Sequence, residues 1–217
     1  MRTSLEAEVL RVRDEAGRNL ALEVLRSTYR DEKGWVDDEN GQLPADELDR
    51  TDRSWFVAMR DGRPIGVLRV LYDPPLGLYR EYQMKLLVPV DIEAFVRDNR
   101  IAEVGRFAVV PDCRRDITVV AALMRAAVHE TVARGYTHYI TDVFEDDPHS
   151  PYDFHTRVLG FAPVATHDVG ELNCTSRRIT LVLDLRAGYR RLKQNGGWIF
   201  RFITREWDEA LHRRMAG

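Results

Sequence analysis

The chain has little cysteine. Cys113 and Cys174 are its two thiols in 217 residues, which supports neither a disulfide framework nor a cysteine-based zinc cluster and fits a reducing compartment. Long apolar runs are also missing, since no stretch approaches the roughly 18 residues that span a bilayer. The opening MRTSLEAEVLRVRDEAG is too charged for a secretory h-region, so the expectation is a cytoplasmic protein without a membrane span. Positive charge is not in excess. Lys and Arg total 32 against 35 Asp and Glu, which gives no basic field for nucleic acid, and no nucleic-acid motif is present. Repeats and low-complexity tracts are absent too. What is there, 44% hydrophobic and 31% charged content over 217 residues, is enough for one globular domain with a sizeable core.

Leu5, Val9, Val12, Leu20, Val24 and Leu25 recur at roughly helical spacing and predict one long or two short helices over 5–30, broken near Gly17 and Asn19. SWFVAMRDGRPIGVLRVLYD reads as a hairpin, with strands near 54–60 and 65–73 around Asp61-Gly62. From Pro74-Pro75 to residue 100 the chain reads as an irregular connection with a helix near 91–98, and connections this long are often functional. A strand from 101, a helix at about 117–134 and a strand at 138–145 form a parallel crossover. A short helix around 151–158, a strand over FAPVATHDV and a closing strand at 177–185 follow. The tail is helical in composition, broken at Gly196-Gly197, and mixes Trp198, Phe202 and Trp207 with several arginines. The pattern predicts an α/β (α+β) domain over 1–185 with a helical extension over 186–217 packed on it.

The strand IAEVGRFAVV carries Glu103 and Arg106 in an apolar run, and Arg69 interrupts IGVLRVLYD in the same way. In regular geometry Glu103 and Arg106 point to opposite faces. A β-bulge at Gly105 would bring them toward one cleft and leave backbone donors free there. The three charges are either a structural ion-pair network or part of a reaction centre.

The order of hairpin, strand, crossover helix, strand and the segment FHTRVLGFAPV resembles the GNAT acyltransferases. That resemblance implies a mixed, mostly antiparallel sheet with a bulged, splayed strand pair and flanking helices. His155 stands where GNAT enzymes commonly have tyrosine. Over roughly 20–115 the chain is more specifically similar to the acyl-homoserine-lactone synthases and N-acyl amino acid synthases, through Arg30 and Trp35 in YRDEKGW, Asp49 and Asp52 in LDRTD, Arg69, and Glu103, Arg106 and Phe107. Ala102 and Gly105 replace the Trp and Ser usual in the lactone synthases, which favours the N-acyl amino acid branch over S-adenosylmethionine as acceptor. The glycine-rich pyrophosphate loop of GNAT enzymes is replaced by Arg114, Arg115 and Asp116 ahead of the crossover helix. Such a helix start can still receive phosphate.

The resemblance implies a transferase that moves an acyl group, expected to be fatty, from an acyl-phosphopantetheine thioester on carrier protein or coenzyme A to an amino acid or similar amine. Other readings are an acetyl-coenzyme A GNAT and an inactive acyl- or carrier-binding domain. Glu103 is the expected general base, since a carboxylate in an apolar cleft has its pKa raised. His155 is the expected acid for the leaving thiolate. Arg69 or Arg106 would hold an acceptor carboxylate. Asp49 and Asp52 would contact its amine, with Arg30 and Trp35 ordering an N-terminal lid. Backbone of Phe107, Ala108 and Val109, with Arg114, Arg115 and Asp116, would bind the donor. Cys113 has no histidine and acid arranged around it in sequence, and no metal or permanently bound cofactor is expected. The arginine-rich tail either packs on the domain, supporting a homodimer, or meets an acidic carrier protein.

Overall fold

The computed structural model describes residues 6–77, 81–195 and 197–217. Among these residues, eight strands form one sheet: β1 Glu8–Arg11, β2 Arg53–Arg60, β3 Arg63–Tyr72, β4 Lys85–Leu86, β5 Ile101–Val109, β6 His138–Phe144, β7 Ala162–His167 and β8 Arg178–Asp184. Their order is β1-β2-β3-β5-β6-β8-β7-β4. Among the described residues, every strand pairing is antiparallel apart from β5 with β6. This is the mixed, mostly antiparallel sheet implied by the resemblance. Among the described residues, the helices are α1 Glu15–Leu25, α2 Ile92–Asp98, α3 Ile117–Ala133, α4 Leu185–Asn195, α5 Gly197–Ile203 and α6 Glu209–Ala216.

Local chemistry sets the boundaries. The β2–β3 turn has Asp61 and Gly62 both at positive φ, 51° and 76°, the twist that suits a two-residue hairpin. Asp116 starts α3 by accepting the Thr118 N–H, and Gly135 at φ 81° follows its end. Between those caps, Val119, Ala122, Leu123, Met124 and Ala127 face the core. Each large apolar side chain so buried contributes about 1.5–3 kcal/mol. Ile199, Ile203, Leu211 and Met215 of the last helices, and Trp207 between them, belong to the same core.

Two expectations need correction. Residues 8–11 are an edge strand paired with 56–59, not helix. Gly17 lies inside α1, whose start is fixed by the Asp14 carboxylate accepting the Gly17 N–H. Four strand residues joined to a capped helix share an apolar spacing that a helix alone also satisfies. Among the described residues, no helix is long and apolar enough to cross a membrane.

Candidate active site

β5 and β6 pair at Ile101–His138, Ala102–Tyr139 and Glu103–Ile140, with no registered pair beyond. On its other side β5 stays in register with β3, but Arg69 faces Gly105 while Val67 faces Ala108. Three steps on one strand therefore match two on the other, which is a bulge of one residue. The left-handed position in it is Arg106, at φ 49°, rather than the glycine the sequence suggested. Past Glu103 the β6-facing edge of β5 thus opens into a cleft of about 600 Å³ between the two strands.

Gly105 has another task. A Cβ there would lie 3.0 Å from Glu103 Oε1 and 3.2 Å from Arg69 Nη2, so its absence makes room for the hydrogen bond that Arg69 donates to Glu103 at 2.8 Å. Arg69 is 8% exposed. Arg106 turns instead to Glu171, donating at 2.6 Å. Burial pushes the Glu171 carboxyl up, but the charge and hydrogen bond of Arg106, then Arg69 and Arg53, outweigh it and hold the group below its ordinary range. Glu103 and Arg106 thus share the cleft wall with separate partners. Glu103 sits against a guanidinium and not in the purely apolar setting expected of it.

The N-terminal segment closes over this centre. α1 continues into a π-helical turn, Arg26–Arg30, a wider winding frequent at functional sites, which puts Thr28 and Tyr29 on the wall. Burial raises the Tyr29 phenol pKa, partly offset by Arg106 and Arg69. Trp35 packs edge-on against Tyr29 at 5.2 Å and tilted on Phe144 at 4.4 Å. Between them, Glu32 pairs with Arg114 beyond β5, and Lys33 with Asp147 beyond β6 at 2.8 Å. Two consecutive charges bridge the arms of the splay.

His155 also lines the cleft, where burial works against its charged form. Burial pushes its pKa down to about 4, partly offset by the Pro151 carbonyl 2.9 Å from Nδ1. Near neutral pH it is a neutral imidazole with Nδ1–H directed to that carbonyl, so Nε2 is an acceptor and not the proton source the sequence suggested. Burial likewise raises the Cys113 thiol, with Asp112 adding to the effect, which disfavours a thiolate nucleophile.

Other expected residues divide clearly. Asp52 is on the wall, but Arg50 binds both its oxygens at 2.9 and 2.7 Å and, with Arg53, holds its carboxyl far below the usual range. Phe107, Ala108, Val109 and Arg114 line the cleft, and the Val109 carbonyl accepts from Arg114 Nε at 3.0 Å. Arg30 lies off the wall, bonded to Glu39 and Asp31. Asp49 is exposed at the end of the 3-10 turn Ala45–Asp49. Arg115 is exposed, and Asp116 caps α3 while pairing with Arg60.

Sequence reasoning passed over Tyr29, Lys33, Glu171 and Asp142. Asp142 accepts from Thr180 at 2.7 Å and pairs with His167 at 3.2 Å. Burial alone would lower the His167 pKa, but Asp142 and the Val169 carbonyl raise it. Tyr29 and Lys33 sit beside the motif residues Arg30 and Trp35, a signal that was available; Glu171 lies 65 positions from Arg106 and left none. Among the described residues no group of three His, Cys, Asp or Glu could hold a metal ion.

With this geometry the comparisons are specific. The family model of the N-acyl amino acid synthase FeeM matches residues 21–173. The chain belongs to that family. The match runs from α1 to the Glu171 loop and makes the protein an acyltransferase. The solved structure of FeeM, an N-acyl amino acid synthase from uncultured soil microbes, is similar with a TM-score of 0.64 at 16% identity, over 88% of this chain and 98% of that one. A ribosomal-protein-alanine N-acetyltransferase from Brucella melitensis gives 0.56 at 16% identity, covering 82% and 99%. The aminoglycoside 6'-N-acetyltransferase from Enterococcus faecium gives 0.55 at 14%, covering 82% and 96%. At these identities the structures establish a shared GNAT fold. No curated protein matches the chain.

Proposed function

We propose that this FeeM-family protein makes N-acyl amino acids, by direct aminolysis of a fatty acyl-phosphopantetheine thioester carried on acyl carrier protein or coenzyme A. The observation that carries the reading is the convergence of the buried Arg69–Glu103 pair and of Arg106 at the bulge where β5 parts from β6. The arm of the donor lies along the open edge of Phe107–Val109, whose amides hold the thioester oxygen as it gains charge. Arg115, exposed before α3, meets phosphate, while Arg114 and Asp116 shape that corner through Glu32 and Arg60. The arginine-rich tail suits an acidic carrier protein.

The acceptor attacks as the free amine. As its nitrogen bonds to the thioester carbon, Glu103 takes the proton the nitrogen sheds, directly or through one water. The tetrahedral intermediate collapses, the C–S bond breaks, and the thiolate leaves and regains a proton. His155 is not the donor. Tyr29 and Tyr82 both have raised phenol pKa values, chiefly from burial, and present neutral O–H groups on the wall for that step.

The test is mass spectrometry of protein incubated with the twenty amino acids and S-adenosylmethionine, with long-chain acyl carrier protein or acetyl-coenzyme A in parallel. An N-acyl amino acid formed from the long-chain donor is expected. Acetylated product alone would move the protein to the short-chain reading, and no product with either donor would overturn transfer to amino acids.

A further inference from the structure

Glu171 holds the Arg106 guanidinium through one hydrogen bond, Nη2 to Oε2 at 2.6 Å. The Arg106 Nε–H is buried and has no hydrogen-bond partner among the described residues. A carboxylate matched to the guanidinium fork takes two parallel bonds, so this pairing leaves capacity unused. Arg106 is also, among the described residues, the non-glycine residue inside a β-strand with positive φ, a strained conformation that persists where its surroundings enforce it.

Its partner comes from a pinned loop. Arg178 donates to the carbonyls of Asp168 and Leu172 at 3.0 and 2.9 Å. His167 Nδ1 lies 2.6 Å from the Val169 carbonyl, and the Asn173 N–H donates to the Trp35 carbonyl at 2.9 Å. The loop backbone therefore delivers Glu171 to a fixed place. The two side chains are unequal: Arg106 is 12% exposed and Glu171 51%. A buried cation left alone is costly, whereas a half-exposed carboxylate can turn back into water.

Resting on the synthase reading above, we infer that Glu171 is a resident stand-in for the acceptor's carboxylate. It neutralises Arg106 in the empty cleft and yields to the α-carboxylate of the incoming amino acid. The exchange keeps one anion on the guanidinium throughout and lets the fork fill both of its bonds. A plain amine has no anion to offer and leaves the Arg106–Glu171 pair in place. Glu171 thus sets the threshold of discrimination between an acceptor with its carboxylate intact and a plain amine.

The experiment compares KM for the best acceptor among the twenty amino acids with KM for the amine obtained by decarboxylating it, in wild type and Glu171→Gln. If Glu171 occupies the guanidinium nine-tenths of the time, its removal lowers the amino-acid KM about tenfold. The ratio of amine KM to amino-acid KM then rises by the same factor. An unchanged ratio, or an equal fall for both acceptors, overturns the stand-in role and leaves the synthase reading intact. Absence of any acylated amino acid overturns both. Glu171→Asp keeps the charge but withdraws it by one methylene. It should move the ratio in the same direction to a lesser extent, and it decides the matter if circular dichroism shows Glu171→Gln unfolded.

Discussion

The bulge of β5 and the start of α3 lie about ten residues apart and are both rich in charge, yet they spend it differently. At α3, Asp116 caps the helix and pairs with Arg60. Asp112 takes Arg63, and Arg114 is used up on Glu32 and the Val109 carbonyl. At the bulge, Arg69 and Arg106 each give one guanidinium nitrogen to a carboxylate, and the Nε of both is buried without a partner among the described residues. Nε2 of His155 is in the same state. Buried polar groups are normally satisfied; among the described residues the unpartnered Arg69 Nε, Arg106 Nε, His155 Nε2 and Ser150 Oγ gather on one cleft, whereas Arg60 Nε beside Asp116 is a single such atom at α3, and the gathering marks where a ligand belongs. Charge whose bonds are complete marks where the fold is held. The lesson is to weigh unspent hydrogen bonds above charge density.

Substitutions at the bulge should therefore cost rate, whatever they also cost in stability, and those at α3 should cost stability with little change in rate. Glu103→Gln has the largest expected effect, a fall of about 10²–10⁴-fold in kcat from loss of the base, read by steady-state product formation. Because it leaves Arg69 uncompensated, thermal unfolding should also show a loss of about 3 kcal/mol. Gly105→Ala comes next. The added Cβ pushes Glu103 and Arg69 apart, and kcat should fall about tenfold, with about 1 kcal/mol lost to crowding.

His155 sharpens the comparison through pH. Its folded pKa, about 4, lies below the ordinary histidine value of 6.5, so the unfolded chain binds the extra proton first. The stabilisation is present above about 6.5 and is lost as pH falls toward 4, about 3 kcal/mol in all. Chemical denaturation at pH 7 and pH 4 should show Asn at this position losing less stability between the two than wild type does. The smallest effect belongs to Asp116→Ala, which should cost about 1 kcal/mol through the lost cap, while the donor KM moves less than about twofold. A large rise in that KM would erase the contrast between the two regions.

Much of the fold was legible because its signals are local. Alternation in β2 and β3 around Asp61-Gly62, and the capped apolar helix at 117–133, need no distant partner to be recognised. β1 was misread because four edge residues carry too little period to separate from the helix that follows. At the site, Glu103, Arg69 and Arg106 stood out as charges inside apolar strands. Their pairing did not, since Arg69 meets Glu103 across 34 residues and Arg106 meets Glu171 across 65. His155 was found by motif position, but the burial that neutralises it is a tertiary property. Asp116 looked like a phosphate ligand because sequence shows charge without showing that the Thr118 N–H and Arg60 already satisfy it.

The most direct test of the central claim is a crystal structure of the protein with an N-acyl amino acid product bound. The account predicts the product amide in the opening between β5 and β6, its nitrogen within hydrogen-bond reach of Glu103 directly or through one water, and its carboxylate on Arg106 with Glu171 turned away. A product bound elsewhere, or one whose amide lies far from Glu103 while the Arg106–Glu171 pair stays closed, would contradict it.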